Sequence, residues 1–75
     1  MKTYNFSAGP ACLPDPVLSA AGEAAKEYKS SGISILEMSH RSAPIVSLFN
    51  EVSQNLRALL SIPSNCKILW LQGGA

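Results

Sequence analysis

Apolar residues between Pro44 and Leu60 recur at steps of three and four: Ile45, Leu48, Phe49, Val52, Leu56, Leu59 and Leu60. That spacing predicts an amphipathic helix. Ser42 suits the cap position before it, and Pro44 falls in its first turn. The helix should end near Ser61, with Pro63 just beyond. A second, weaker stripe runs through Val17, Leu18, Ala21, Ala24, Ala25 and Tyr28. Asp15 suits its N-cap and Pro16 its first helical position. Gly22 interrupts that helix at a cost of about 1 kcal/mol relative to Ala. Lys26 and Lys29 fall in its last turn, where the helix dipole favours cations. Ser30-Ser31-Gly32 closes it, with Gly32 as the left-handed residue past the end.

The remaining segments follow other patterns. Ile33 to Met38 reads as irregular or weakly extended, and Ser39-His40-Arg41-Ser42 as a polar break. Pro63-Ser64-Asn65 is a turn, and Lys67 to Leu71 a strand. The apolar run Ile68 to Leu71 is the pattern of a strand buried on both faces. Gly73 and Gly74 follow it directly, and glycines there allow positive φ and close backbone approach. In α/β proteins such a turn leads to a helix whose free N–H groups bind phosphate. Residues 1–14 show neither period and form an expected N-terminal arm with a turn at Gly9-Pro10 and Phe6 as an anchor for another surface. Residues 15–75 read as the helix–helix–strand start of a domain. One strand makes no sheet, so the expected fold is the front end of a larger α/β enzyme.

Composition narrows the class. Seventy-five residues allow at most one small domain, and a chain of that size buries only roughly 60–65% of its unfolded surface. Nothing in it resembles a staple. Cys12 and Cys66 lie far apart with no disulfide framework, which favours free thiols in a reducing cytosol. The hydrophobic fraction of 47% is globular, and so much apolar surface on so short a chain implies packing against further protein. The formal charge is +1 and its cations are scattered. No basic stripe interleaved with aromatics points to nucleic acid. No apolar run approaches the ~18–20 residues of a membrane span.

His40-Arg41 is the one dense polar constellation. Arginine presents a rigid fork that matches two carboxylate or phosphate oxygens, and histidine adds a donor that becomes cationic near neutral pH. The pair suits an anionic substrate. It equally suits a solvated loop with Arg41 on a neighbouring carboxylate. The Gly73-Gly74 turn is neither a Walker loop nor a GxGxxG fingerprint, and glycine pairs after strands are common. Glu37 and Glu51 lie on different elements, which favours solvated or capping roles. Cys12 is assigned to packing rather than nucleophilic chemistry. His40, Cys12 and Cys66 lack metal-ligand spacing. Trp70 is assigned to the core rather than to a cofactor.

Three phrases together resemble a known family: Asn5-Phe6-Ser7-Ala8-Gly9-Pro10 with Leu13-Pro14, Gly32-Ile33-Ser34-Ile35-Leu36-Glu37-Met38-Ser39-His40-Arg41, and Leu71-Gln72-Gly73-Gly74-Ala75. In order and spacing they resemble the opening of the phosphoserine aminotransferases, class V members of the fold-type I pyridoxal-phosphate transferases. The resemblance spans essentially the whole chain, and Glu-Met-Ser-His-Arg is its most specific piece. It implies a cytoplasmic homodimer that uses pyridoxal 5'-phosphate. The implied reaction interconverts 3-phosphohydroxypyruvate plus glutamate with O-phosphoserine plus 2-oxoglutarate, in serine biosynthesis. It implies that His40 and Arg41 meet the substrate's anionic groups, often across the dimer interface. It implies that Ala8 acts near the substrate carboxylate through its backbone, and that Gly74 and Ala75 begin the loop holding the cofactor phosphate. Many family members have glycine where this chain has Ala75, a change that a backbone N–H contact tolerates.

No catalytic residue is assigned within the chain. In the family the Schiff-base lysine, the acidic partner of the pyridine nitrogen and the ring-stacking aromatic lie further along, and Lys67 matches no such motif. The expectation is therefore an N-terminal segment that is inactive alone. The alternative is a non-enzymatic interaction fragment that docks on a partner chain. A free-standing anion-binding module is the weakest reading, because its sheet is missing.

Overall fold

The computed structural model describes residues 2–73. Its elements in chain order are helix α1 (Asp15–Lys26), a single 3-10 turn (Ile35–Glu37) and helix α2 (Ala43–Leu60). The chain divides into two compact units, Met1–Glu37 with Gln72–Ala75, and Met38–Leu71.

In the first unit the arm folds back on itself rather than running extended. Asn5 closes it: its carbonyl accepts the Cys12 N–H at 2.7 Å, and its side-chain amide donates to the Pro10 carbonyl at 3.3 Å. Its side-chain oxygen accepts the Ser7 N–H at 3.2 Å and the Ser7 hydroxyl at 2.7 Å. The expected turn at Gly9-Pro10 is present, with Gly9 at φ +94°. Phe6 is 86% exposed on this loop.

Helix α1 starts one residue earlier than its capping pattern implies. Asp15 is its first residue, Pro14 occupies the cap position, and no side chain caps it. The Asp15 carboxylate is drawn instead to Lys2 Nζ at 2.6 Å. The helix also ends early, at Lys26, so Tyr28 and Lys29 lie outside it. Tyr28 is buried, and its N–H donates to the Ile33 carbonyl at 2.8 Å while its carbonyl accepts the Ser31 N–H at 3.0 Å. Lys29 and Ser30 both take positive φ between them, the backbone of a tight primed turn. Gly32 has positive φ as expected, but it belongs to this turn and does not cap α1. Its N–H donates to the Glu27 carboxylate at 2.8 Å.

The stretch expected to be irregular or weakly extended holds the 3-10 turn, against which α1 packs. A reciprocal cap explains it. Ser34 Oγ accepts the Leu36 N–H at 3.0 Å, and Glu37 Oε1 accepts the Ser34 N–H at 2.9 Å. Ser34 is buried and its polar groups are satisfied. Glu37 is thus a capping residue, one of the two roles expected of it.

In the second unit α2 covers nearly the predicted span. Its apolar stripe is partly covered: Ile45 is buried, and Leu48, Val52 and Leu56 are half-buried. Leu59 and Leu60 remain 79% and 68% exposed. Ser61 adopts the left-handed conformation at φ +52°, and its N–H and that of Ile62 both donate to the Arg57 carbonyl. That pairing satisfies an end carbonyl of the helix.

The strand expected over Lys67 to Leu71 is not formed. No strand occurs among the described residues, and this segment has no regular secondary structure. The cause is elementary: strand hydrogen bonds need a second strand, and the chain offers one candidate. The α/β class therefore has no sheet behind it here, and what the structure presents is helical.

Candidate functional site

His40 and Arg41 occupy the centre of a four-residue turn in the second unit. The Ser39 carbonyl accepts the Ser42 N–H at 3.0 Å and the Ser42 hydroxyl at 2.7 Å. Ser39 Oγ accepts the Arg41 N–H at 3.1 Å. Serine hydroxyls readily make such local backbone bonds. Ser42 holds the expected cap position of α2, yet its hydroxyl bonds back to Ser39 and caps no helix N–H. The two flanking serines thus fix the turn, and α2 begins directly after it.

Both side chains in the turn are exposed. Neither has a hydrogen bond, ion pair or ring contact among the described residues. Lys2 pairs with Asp15 and Lys26 with Glu23, and among the described residues no carboxylate pairs with Arg41, so the alternative that placed it on a neighbouring carboxylate is not formed there. An unpaired guanidinium on a pinned backbone can receive two anionic oxygens without first breaking an internal pair.

The other expected site residues are distributed differently. Ala8 lies in the Asn5-closed loop of the first unit, exposed, with its N–H and carbonyl unpaired among the described residues. Gly73 has φ +146°, and a Cβ built there would meet no atom within 4 Å, so the start of the glycine turn is open. Gly74 and Ala75 lie outside the described residues. As to a pyridoxal phosphate, the described residues fit its site only in part. Gly73 combines positive φ with free space beside its Cα, whereas none of them matches the cofactor-attaching lysine or the ring-stacking aromatic.

Trp70 has a local role. Its ring meets Phe49 edge-on, with centroids 5.4 Å apart, and its indole N–H donates to Ser53 Oγ at 3.0 Å. It remains 48% exposed, so it packs on α2 without being sealed in a core. Cys12 is half-buried and Cys66 exposed, and both are free thiols. Among the described residues no group of histidine, cysteine and acidic side chains could hold a metal ion, and no helix is long and apolar enough to cross a membrane.

Arg57 escaped the sequence reading. It sits on α2 one turn beyond Ser53, and its guanidinium donates to the carbonyls of Pro63 at 3.1 Å and Cys66 at 2.7 Å. The available signal was an arginine near a helix end, followed by a proline turn.

With the arm loop, the pinned His-Arg turn and the open glycine established, the class can be stated. Residues 3–75 match the family described as Aminotransferase class-V, and the chain belongs to that family. It is similar to the phosphoserine aminotransferase of Neisseria gonorrhoeae, with 53% identity over 72 residues that cover 96% of this chain and 20% of that protein. The phosphoserine aminotransferase of Pseudomonas syringae pv. tomato is also 53% identical, over 74 residues covering 99% of this chain and 20% of the relative. That of Streptococcus thermophilus is 51% identical over 75 residues, covering 100% and 21%. The chain spans about one fifth of the length of these curated relatives. No solved structure matches it. The resemblance carried by the three phrases thus holds at the level of the family.

Proposed function

We propose that this chain is the N-terminal part of a phosphoserine aminotransferase. The reaction is the reversible transfer of an amino group between O-phosphoserine with 2-oxoglutarate and 3-phosphohydroxypyruvate with glutamate, in serine biosynthesis. One observation supports it above the others: His40 and Arg41 stand exposed, with side chains unpartnered among the described residues, on a serine-pinned turn, in a chain of the class-V family. Every species in that reaction is an anion, so a preformed arginine fork suits the task.

In this reading Arg41 binds an anionic group of the substrate through paired N–H···O bonds and fixes its orientation. His40 adds a further donor beside it. Ala8 offers a backbone N–H toward a carboxylate. Gly74 and Ala75 would hold the cofactor phosphate by their backbone N–H groups. Pyridoxal phosphate, when bound, supplies the electron sink for amino transfer, and the protein supplies binding and orientation. The complete protein is proposed to be a cytoplasmic homodimer of fold-type I α/β architecture, in which residues 1–14 serve as arm and 15–75 open the main domain. The 75-residue chain by itself is proposed to be inactive, because no lysine in it matches the one that attaches the cofactor. Docking without turnover is the competing reading. The exposed Phe6 and Leu59 suit docking in either case, so they favour neither.

The test is Arg41→Ala in the complete protein. Truncating one partner of a charged hydrogen-bonded pair costs roughly 2–5 kcal/mol, a loss of about thirtyfold or more in kcat/KM. Cofactor affinity, followed by titration, should change little. Unaltered kcat/KM for both phosphorylated substrate and glutamate would make Arg41 a structural residue and remove the basis of the reading.

A further inference from the structure

Ser42 uses its hydroxyl in an unexpected direction. It stands at the cap position of α2, where a serine oxygen ordinarily accepts an N–H from the first helical turn. Pro44, the second residue of that turn, has no N–H to offer, but Ile45 has one. The Ser42 hydroxyl takes neither role of a cap: no side chain caps the helix, and the hydroxyl donates backward to the Ser39 carbonyl at 2.7 Å. The same carbonyl accepts the Ser42 N–H at 3.0 Å. The Ser39 hydroxyl in turn accepts the Arg41 N–H at 3.1 Å. A helix cap is thus given up to close a turn whose two central side chains are exposed and meet nothing among the described residues. A local preference set aside beside an exposed arginine and histidine is the mark of a functional constraint.

We infer that Ser39 and Ser42 are positioning residues for substrate binding, holding the backbone from which the Arg41 guanidinium reaches the substrate's anionic group. The reason is conformational entropy. A loose turn has to be ordered at each binding event, and that cost is subtracted from affinity. Three local hydrogen bonds order this turn before the anion arrives. The Arg41 side chain stays exposed, but the direction in which it leaves the backbone is set, so its fork searches a smaller volume. His40 sits on the same turn and gains in the same way. The inference rests on the reading of Arg41 as an anion-binding residue given above.

A double-mutant cycle in the complete protein tests it. Steady-state kinetics with O-phosphoserine and 2-oxoglutarate are measured for wild type, Ser39→Ala, Ser42→Ala, Ser42→Thr, Arg41→Ala and each serine-to-alanine change combined with Arg41→Ala. Ser39→Ala and Ser42→Ala should each lower kcat/KM by about fivefold, the loss of one local hydrogen bond, carried mainly by KM. Ser42→Thr keeps the hydroxyl and should restore most of the loss. In the Arg41→Ala background the same serine changes should cost less than about twofold, because the fork they position is gone. Equal losses in both backgrounds would make the serines structural only and overturn the inference. So would wild-type kcat/KM in both Ser39→Ala and Ser42→Ala where Arg41→Ala is impaired. If Ser39→Ala does not fold, the Ser42 cycle decides by the same criteria. Wild-type kcat/KM in Arg41→Ala is a different result: it defeats the anion-binding reading itself, and this inference with it.

Discussion

Ser39 and Ser42 pin the backbone under Arg41, and its exposed guanidinium meets no carboxylate among the described residues. At this scale lysine should be a poor replacement, since Arg41→Lys keeps the charge and loses the fork. Steady-state kinetics should place it between wild type and Arg41→Ala, nearer the latter. A second residue-scale expectation concerns the end of α2. Ser61 holds a left-handed backbone that costs a non-glycine residue roughly 1–2 kcal/mol. Ser61→Gly removes that cost and adds some chain entropy to the unfolded state. The net should be a gain of about 0.5–1 kcal/mol in stability, read from denaturant midpoints. An unchanged or lowered midpoint would show that the Ser61 side chain contributes something the backbone argument omits. The His40-Arg41 pair was legible in the sequence as a polar break before a helix. Its freedom from a carboxylate was not, because ion pairing depends on what the fold brings near. The Ser34-x-x-Glu37 box was readable only as a spacing, and its partners became plain once the 3-10 turn was seen.

At the scale of elements, periodicity served where burial is organised by a helix face. The span of α2 follows from its apolar stripe, and its cap and end fall within a residue of expectation. Helix α1 followed less well at both ends. The local preference of Asp15 to cap yielded to its ion pair with Lys2, and the helical spacing of Tyr28 yielded to a tight turn that buries its ring. That turn has no glycine or asparagine at its two positive-φ positions, Lys29 and Ser30, so composition gave no warning of it. The segment from Lys67 to Leu71 has the apolar content of a strand and none of its ladder. Arg57, Ser53 and Phe49 direct it instead, through contacts that no strand propensity encodes. Gly22 yields a prediction at this scale. It lies inside α1, its φ is not positive, and a Cβ there meets nothing within 4 Å. Gly22→Ala should therefore stabilise α1 by about 1 kcal/mol, visible as slower amide exchange across Asp15–Lys26. Faster exchange would mean that another surface requires the bare backbone.

For the whole molecule the exposed apolar surface governs behaviour. Buried apolar side chains among the described residues are Tyr28 and Ile45, while Phe6, Leu36 and Leu71 are each more than 80% exposed. Backbone ordering costs about 1–2 kcal/mol per residue, and so little burial does not offset it. The 75-residue chain studied alone should be partly disordered or self-associating, with residues 1–14 exchanging fastest and α2 slowest. Uniform protection with one sharp monomeric unfolding transition would show a self-sufficient domain. The most direct measurement is amino transfer by the purified complete protein that carries this segment. Supplied with pyridoxal phosphate, O-phosphoserine and 2-oxoglutarate, it should form glutamate, and withdrawal of the cofactor should abolish the reaction. The 75-residue chain should give no rate above that of free cofactor. Failure of the complete protein to form glutamate from O-phosphoserine, with cofactor bound, would contradict the account.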